Sequence, residues 1–382
     1  MAVQQKYDFI IIGGGIFGVY AAIYLAGRRQ RVCLIEKEAG MMLKASTVNQ
    51  ARLHGGYHYP RSVSTALMSD ENKARFTEDH KPFIHFGFEQ YYAIDEFNSF
   101  TDGVQFERFC NFIGIPCKPV YQHPLINFGR IESLYVTQEY SFDPVLINQY
   151  YRSKLKACSN VRICLNTRPV AAQAAGGGWE VEILNTAEGA REKISAGQVI
   201  NATYAGSNAI NDLFGVRNIE LMHEISEIAL VSSPQLGDRI GLTIMDGPFA
   251  SMMPYGKSGL LSLSSVAYTH HKVSYEASPA FVCQQINLDC QPEYLANCNY
   301  CRARPESNQK KMVAQIRQYL DDEVELNYFG SLFTIKSKLM ANYIDDGRPT
   351  EIAVLNDNPR FYCIFAGKIN SIYEIEKVVD LG

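Results

Sequence analysis

The chain has 382 residues, of which 47% are hydrophobic and 20% are charged, a mixture typical of globular proteins with two or three domains. Its formal net charge of −4 offers no basic excess, so we expect no nucleic-acid partner. No stretch reaches the roughly 20 apolar residues of a membrane-spanning helix, and the first residues do not resemble a signal peptide. We therefore expect a cytoplasmic protein without an integral membrane segment.

The beginning of the chain predicts a strand, a glycine turn, a helix and a second strand. YDFIII (7–12) and RVCLIE (31–36) are short, continuous apolar runs, as in buried strands. Between them GGGIFG (13–18) predicts a turn, and VYAAIYLAGRR (19–29) is helix-forming and ends near a glycine. The unit has the size of a βαβ crossover between parallel strands.

Further elements follow in chain order and become strand-rich from about residue 161. Helices are predicted over 64–80, over 103–114, after Asp143-Pro144, over 307–321 and after residue 368. Strands are predicted over 88–94, 161–166, 169–175, 179–184, 198–203, 226–231, 249–255, 259–266 and 360–365. No clean linker separates these elements, so we expect interleaved domains.

Gly13, Gly15 and Gly18 fit G-x-G-x-x-G between the first strand and the helix. The first glycine permits the tight turn, the second lets the backbone approach a pyrophosphate, and the third lets helix and strand pack closely. The helix N-terminus offers N–H groups to the phosphates, and Glu36 is placed to accept hydrogen bonds from ribose hydroxyls. The pattern predicts dinucleotide binding and disfavours the 2′-phosphate of NADP, while NAD and FAD stay open.

Further segments resemble the FAD-dependent oxidoreductases of the D-amino-acid oxidase superfamily. KASTVNQARLHGGYHYPRS (44–62) is similar to the flavin-contacting stretch of FAD-dependent glycerol-3-phosphate dehydrogenases and L-2-hydroxyglutarate dehydrogenases. GQVINATYAGSN (197–208) is similar to the strand and turn beside the dinucleotide, and the helix (142–155) and strand (161–172) before it come in the family's order. AGKINSIYEIEK (366–377) resembles the segment that returns to the flavin.

This resemblance implies an α/β fold in which a Rossmann-like FAD-binding domain of the glutathione-reductase type 2 is interleaved with a mainly antiparallel-sheet substrate domain. The FAD-binding domain is expected to comprise 1–80, 141–215 and 331–382. The substrate domain is expected to comprise 81–140 and 216–330.

The resemblance also implies FAD as the cofactor. Members of the superfamily sometimes tether the flavin through a His or Cys, and we expect a non-covalent flavin here. One departure is Met41-Met42, which stands where a second glycine pair often follows the ribose acid in the family. The residues expected to contact the cofactor are Gly13, Gly15, Ile16, Phe17, Gly18, Glu36, Lys37, Ser46, Arg52, Leu53, Gly55, Gly56, Val170, Ala202, Thr203, Gly367, Lys368 and Ile369. Within this set, the resemblance places Val170 at the adenine pocket.

Lys368 and His54 are the predicted catalytic residues. Lys368 follows a glycine in the returning turn, where a cation would stabilise the negative charge of reduced flavin near N1. His54 lies in LHGGYHY, whose glycines let the backbone press on a flat ring. A histidine held by hydrogen bonds in a tight loop is the alternative.

Tyr59, Arg61 and Arg348 are predicted to contact the substrate. The planar guanidinium of arginine matches two oxygens of a carboxylate or phosphate. For Arg52 and Arg61, contact with a substrate anion has two alternatives: each arginine could contact the FAD pyrophosphate or pair with an acid on the surface. Arg348 has neighbouring aspartates with which it could pair in a turn.

Together these residues predict an FAD-dependent oxidase or dehydrogenase. It would oxidise a CH–NH or CH–OH bond of a small polar substrate (an amino acid, amine or hydroxy acid) by hydride transfer to flavin N5, with O₂ or an electron carrier as acceptor. The alternative is a non-redox flavoprotein, such as a sugar-nucleotide isomerase that uses reduced FAD. The sequence has no nucleophile elbow, P-loop or HExxH motif, so it gives hydrolases and kinases no support.

Four of the 10 cysteines are close together in the sequence: Cys283, Cys290, Cys298 and Cys301. Only the last pair has C-x-x-C spacing, whereas a structural zinc usually takes two such pairs, and no histidine flanks the cluster. We therefore expect free thiols packed in a core or loop, and no bound metal. His270-His271 is likewise expected to be a loop rather than a metal pair.

Overall fold

The computed structural model describes residues 5–63, 66–67, 72–340, 351–365 and 367–379. The strands in these ranges are β1 (Gln5–Ile12), β2 (Val32–Ile35), β3 (Arg52–Leu53), β4 (Ile84–His85), β5 (Glu89–Asp95), β6 (Cys117–Val120), β7 (Ile131–Thr137), β8 (Tyr140–Phe142), β9 (Val161–Cys164), β10 (Thr167–Ala175), β11 (Gly178–Asn185), β12 (Arg191–Asn201), β13 (Leu221–Ser232), β14 (Ile240–Met245), β15 (Ala250–Pro254), β16 (Leu261–Ser265), β17 (His270–Ser274), β18 (Asn327–Leu339), β19 (Glu351–Asp357) and β20 (Arg360–Phe365).

The α-helices in the same ranges are α1 (Ile16–Gly27), α2 (Lys73–Asp79), α3 (Gly103–Ile113), α4 (Pro144–Lys156), α5 (Ser207–Leu213), α6 (Gln309–Ile316) and α7 (Ile375–Val378). Short 3₁₀ turns occupy Lys81–Phe83, Phe128–Arg130, Tyr204–Gly206, Val282–Gln285, Cys298–Tyr300, Arg317–Tyr319 and Ile369–Glu374. Among the described helices, none combines the length and the apolar character needed to span a bilayer.

The first large sheet is built on four parallel strands in the order β9, β2, β1 and β12. One edge of β12 pairs with two different strands along its length. Its first part pairs antiparallel with β11, while Gln198–Asn201 pairs parallel with β20. Strand β10 extends the β11 branch and β19 extends the β20 branch. This arrangement confirms the predicted Rossmann-like α/β fold.

Both faces of this sheet are covered, which explains why β1 reads as a continuous apolar run. Phe9 and Ile11 pack on one side in the core that α1 and α4 complete. Ile10 and Ile12 pack on the other side, in a core that includes Trp179. The side chains of all four β1 residues are buried.

The second large sheet has the order β17, β13, β16, β15, β14, β5, β7 and β6, and β18 pairs with the other edge of β13. The neighbouring strands of this sheet are antiparallel except for β14 and β5, which are parallel. The second sheet is therefore mainly antiparallel, as predicted. Because β18 pairs with β13 from Asn327 to Leu339, the strand order favours a domain boundary after Leu339 rather than at residue 331. The prediction of a loop at His270-His271 is wrong, since both residues lie in β17.

A local signal explains where α4 begins. Asp143 caps α4, because its carboxylate accepts hydrogen bonds from the N–H groups of Val145 and Leu146 at 3.0 and 2.9 Å, and Pro144 occupies the first turn.

Of the predicted helix 64–80, the structure describes α2 at its end, whereas residues 64–65 and 68–71 lie outside the described residues. Arg348 also lies outside them.

Candidate cofactor and active site

A cleft of about 1140 Å³ opens to solvent beside the ends of β1, β2 and β12. One wall is the glycine turn before α1, and others are the loop after β2, the start of β10 and the turn after β12. The remaining wall comes from Glu293–Ala296 and Cys298 together with Thr334 and Ile335 of β18. The cleft therefore lies at the carboxyl ends of the parallel strands, where ligands of open α/β sheets bind.

The three glycines of the fingerprint have three different surroundings. Gly13 has φ +106°, and a Cβ there would stand 2.6 Å from the carbonyl oxygen of Ala202. A Cβ at Gly18 would collide with the carbonyl oxygen of Gly13. A Cβ at Gly15 would meet only Ser46 Oγ, at 3.4 Å, and would otherwise enter the cleft. The first and third glycines are thus needed because a side chain there would collide with the backbone, while the second leaves room for a ligand.

Two side chains are held by backbone amides where the cleft meets the glycine turn. Ser46 Oγ accepts a hydrogen bond from the N–H of Ile16 at 2.9 Å, at the start of α1. Glu36 accepts hydrogen bonds from the N–H of Gly14 (2.6 Å) and the N–H of Glu38 (2.9 Å), one on each carboxylate oxygen. Each oxygen keeps a further lone pair, so the carboxylate is fixed in place and can still accept hydroxyl groups.

Cationic side chains line the same part of the cleft. The ammonium groups of Lys37 and Lys44 both donate to the carbonyl oxygen of Leu295, with 2.8 Å for Lys44, which also pairs with Glu38 at 2.7 Å. Burial, followed by the neighbouring charge of Lys44, lowers the pKa of Lys37 to about 7. The two lysines can offer donors to an anionic ligand, although Glu36, Glu38 and Glu293 also line the cleft.

The Arg52 guanidinium does not reach the cleft. It forms an ion pair with Glu139 and donates to Tyr92 Oη at 2.7 Å and Ser251 Oγ at 2.6 Å. Glu139 in turn accepts the N–H of Gly55 at 3.1 Å. This placement gives the Arg52 side chain a structural role and leaves the backbone of the loop as the part that can approach a cofactor.

The next residues of the loop form an aromatic cluster with the returning segment. The His54 ring lies 5.6 Å from that of His58 and 6.2 Å from that of Tyr59, measured between centroids. Lys368 Nζ stands 4.4 Å from the centroid of the Tyr59 ring. Lys368 is also the N-cap residue of the 3₁₀ turn Ile369–Glu374. The two catalytic candidates therefore flank one aromatic ring.

Arg61 lies beside this cluster and is engaged by an acid. Its Nε donates to both carboxylate oxygens of Asp246, at 3.0 and 2.9 Å, and the guanidinium stands over the Phe100 ring at 5.3 Å. A substrate anion would have to share the guanidinium with Asp246.

Apart from Arg52, the predicted cofactor residues fall into three groups and one outlier. Those that line the cleft are Gly13, Gly15, Glu36, Lys37, Ser46, Ala202 and Thr203. Ile16, Phe17 and Gly18 form the first turn of α1 behind them, whereas Leu53, Gly55, Gly56, Gly367, Lys368 and Ile369 belong to the loop and the returning segment around the aromatic cluster. Val170 lies at the bulge of β10, next to the cleft-lining Pro169.

Sequence reasoning missed the wall that comes from the second domain. Tyr294, Leu295 and Cys298 line the cleft, and Arg168 stands over the Tyr294 ring at 4.7 Å. Of these residues only Cys298 belongs to a recognisable pattern, the C-x-x-C pair with Cys301. The other signal in the sequence is the long irregular stretch between β17 and α6.

Comparison with known proteins identifies the family to which the chain belongs. The model of the DAO family, described as FAD dependent oxidoreductase, matches residues 8–280, and the chain belongs to this family. It is therefore an FAD-dependent enzyme. The G-x-G-x-x-G motif, the fixed Glu36 carboxylate and the open cleft beside Gly15 agree with this assignment.

Individual relatives are distant in sequence. The chain is 24% identical over 371 residues to the FAD-dependent monooxygenase FPY4 of Fusarium mangiferae, with 95% of this chain and 87% of the relative covered. Among solved structures, it superposes on the FAD-bound L-alpha-glycerophosphate oxidase of Mycoplasma pneumoniae with a TM-score of 0.69 at 15% identity, covering 98% and 94% of the two chains. For the glycine oxidase of Geobacillus kaustophilus the TM-score is 0.65 at 15% identity, covering 97% and 91%.

Proposed function

We propose that this enzyme oxidises a CH–NH or CH–OH bond of a small polar substrate by transfer of a hydride to flavin N5. The observation that carries the proposal is the contact of Lys368 with the Tyr59 ring, 4.4 Å from Nζ to the centroid. This contact joins the two segments whose sequences resemble flavin-contacting segments. A catalytic centre at that junction would have a cation, two imidazoles and a phenol within one cluster.

The cleft residues would hold the cofactor. The backbone at Gly15 and the first amides of α1 are suited to the pyrophosphate, and Glu36 to ribose hydroxyls. When bound, FAD supplies the two-electron acceptor. Thr203, whose N–H and hydroxyl both donate to Asn201 Oδ1 at 3.1 and 2.6 Å, lines the cleft in a fixed turn that packs against Gly13.

Two roles follow for residues of the aromatic cluster. Lys368 would offer positive charge where negative charge develops on reduction, and the N-terminus of the turn Ile369–Glu374 would add to it. The imidazole of His54 is suited to accept the proton that leaves the substrate N–H or O–H group. Tyr59, Arg61 and Arg348 stay the proposed substrate contacts.

The proposal has support from the names of the relatives. One similar structure is a glycine oxidase and another is a glycerophosphate oxidase, which are named for a small amine-bearing and a small hydroxyl-bearing substrate. A second candidate is monooxygenation, because the sequence relative is named for that activity. O₂ or an electron carrier would reoxidise the flavin in the first case, and oxygen would enter the product in the second.

The test is anaerobic reduction of the purified yellow holoenzyme by a panel of amino acids, amines, hydroxy acids and glycerol phosphate. We expect one class to bleach the flavin absorbance, and the product to have lost two hydrogens. Under ¹⁸O₂, label in the organic product would favour monooxygenation instead. If no compound bleaches the flavin and turnover occurs only after chemical reduction, the isomerase alternative replaces the proposal.

His54→Ala tests the role in proton transfer. Flavin reduction by the identified substrate should slow by about 10²–10³ and its pH profile should lose a limb. His85→Ala is the matched control, because His85 lies in β4 and contacts Asp238 instead of the cluster. Wild-type reduction in His54→Ala would assign the histidine to loop structure.

A further inference from the structure

The cofactor cleft corresponds to the ADP half of FAD. Gly15, which precedes α1, and Glu36 both line it, and they are suited to the pyrophosphate and the ribose. Among the described residues that line the cleft, none comes from the loop 52–61 or from residues 367–369. The segments that resemble flavin-contacting segments therefore lie outside the cleft, which has to house the adenosine.

The second domain supplies part of this cleft through Glu293–Ala296, which we name the cover. Leu295 is buried within it, and Tyr294 is half-buried. A tight turn fixes the backbone of Tyr294, because its N–H and carbonyl groups exchange hydrogen bonds with those of Gln291 at 3.0 and 3.2 Å. The cover is thus an ordered part of the cleft wall, although it lies outside the strands and helices of the second domain.

Two ammonium groups of the first domain converge on one carbonyl oxygen of the cover. Lys37 and Lys44 both donate to the carbonyl oxygen of Leu295, at 2.8 Å for Lys44. Both lysines also line the cleft, and Lys37 directly follows Glu36 in the chain. The cover is therefore attached to the segment that begins with the ribose-binding acid.

Two further contacts attach the cover and its neighbour to the first domain. Asn297 Nδ2 donates to the carbonyl oxygen of Leu43 at 3.1 Å. The guanidinium of Arg168, at the start of β10, stands over the Tyr294 ring at 4.7 Å from its centroid. The contacts thus reach two separate segments of the first domain, the loop after β2 and the start of β10, and both of these segments line the cleft.

The surface that the cover adds to the cleft is suited to a flat heteroaromatic ring. Tyr294 supplies an aromatic ring, and Leu295 and Ala296 supply apolar side chains. Pro169 and Ile335 line the same cleft. Nucleobases bind to such surfaces by stacking and apolar contact. Adenine is uncharged, so its burial here would cost no desolvation of an ionic group.

We propose that the cover encloses the adenosine half of FAD and that Tyr294 is a binding residue for the adenine ring. The second domain would then bind the cofactor at the end that is remote from the chemistry. The proposal rests on FAD as the cofactor and is independent of the substrate class. The competing explanation is that the cover only joins the two domains, while the first domain alone holds adenosine.

Binding of FAD, ADP and FMN to the full-length chain, freed of its cofactor, separates the two explanations. Tyr294→Ala should weaken FAD and ADP by the same factor, at least tenfold, because the lost stacking acts on adenosine alone. FMN has no adenosine, so its affinity should not change. Tyr294→Phe keeps the ring and should bind all three ligands like the wild type. Tyr300→Ala should do the same, because this side chain is 80% exposed and does not line the cleft.

Three results would contradict the proposal. Unchanged affinity for FAD and ADP in Tyr294→Ala would show that adenine does not contact the ring. A loss for FAD without a loss for ADP would assign Tyr294 to the flavin half. An equal loss for FMN would show that the substitution disturbs the whole site instead of the adenosine end.

Photolabelling with 2-azido-ADP provides a readout that requires no variant. After irradiation of the wild-type chain freed of FAD, peptide mapping should find label within residues 291–298. Excess FAD should prevent this labelling, because the two ligands share the adenosine site. Label confined to the first domain would refute the role of the cover.

Discussion

Arg52 and Glu139 form an ion pair with side-chain exposures of 1% and 0%. The pair connects three parts of the molecule. Arg52 belongs to β3 and also donates to Thr243 Oγ1 of β14 at 3.0 Å. Glu139 accepts a hydrogen bond from the N–H of Gly55, in the loop whose sequence resembles a flavin-contacting segment. The loop that we assign to the flavin is therefore anchored to the second sheet through one buried charge pair.

Glu139→Gln should destabilise the protein, because it leaves the buried guanidinium of Arg52 without a counter-charge. We expect the free energy of unfolding to fall by about 3–5 kcal/mol in urea titration. Glu192→Gln is the matched control, since its pair with Arg162 is exposed by 38% and 35% and should be worth less than about 1 kcal/mol. Equal losses in the two variants would contradict the structural role of Arg52.

Gly15→Val should abolish FAD binding without unfolding the chain. The nearest atom to a Cβ at this position is Ser46 Oγ at 3.4 Å, so the apoprotein accepts the change, but the added methyl groups occupy the cleft. Gly27→Ala, at the other end of α1, places its Cβ in open space and serves as the control. Flavin absorbance and melting temperature measure the two effects, and an unchanged FAD content in Gly15→Val would show that the pyrophosphate lies elsewhere.

Lys368→Met should leave FAD bound but lower the reduction potential of the flavin. A cation near N1 stabilises the reduced flavin, and its loss should slow reduction by substrate about 10²–10³-fold. Sulfite adds at N5 and leaves negative charge near N1, so its affinity should fall as well. Lys377→Met, which removes an ion pair with Glu374 in the same C-terminal region, should change neither quantity. Wild-type potential and sulfite affinity in Lys368→Met would place this lysine away from the ring.

FAD affinity should depend on the protonation of Lys37. Burial and the charge of Lys44 lower the pKa of Lys37 to about 7, and the phosphates of FAD favour the charged form and so raise the pKa in the complex. The affinity is then highest below this pKa and falls by up to about tenfold per pH unit above it, until the pKa of the complex is reached. Titrations followed by flavin fluorescence should show this slope in the wild type. Lys37→Arg stays charged and should bind FAD tightly with no slope, and a slope that persists in Lys37→Arg would assign the titration to another group.

The first sheet could be predicted because its signals are local. The apolar run before Gly13, the glycine spacing and Glu36 all lie within one βαβ unit, and the structure places them in β1, the turn and the end of β2. Likewise Asp143-Pro144 predicts the start of α4, since a cap acts within one turn.

The remaining features depend on tertiary contacts. Nothing near Arg52 in the sequence indicates that Glu139 is its partner, so the arginine looked like an anion-binding residue. The pair His270-His271 was expected to be a loop, yet it lies in a strand because the edge of β13 supplies the hydrogen bonds of β17. Residues 281–307 show no helical or strand periodicity, and only the fold brings the Leu295 carbonyl oxygen to the lysines of the first domain.

The division of β12 between β11 and β20 sets the order in which this protein can mature on the ribosome. Strand β12 ends at Asn201 and β20 begins at Arg360, so at typical elongation rates of 5–20 residues per second the partner of Gln198–Asn201 emerges roughly 10–30 s after them. During that interval an apolar parallel strand has an open edge, the kind of surface that chaperones shield from aggregation. The nascent chain can complete its cofactor-binding sheet only after the entire second domain has been translated.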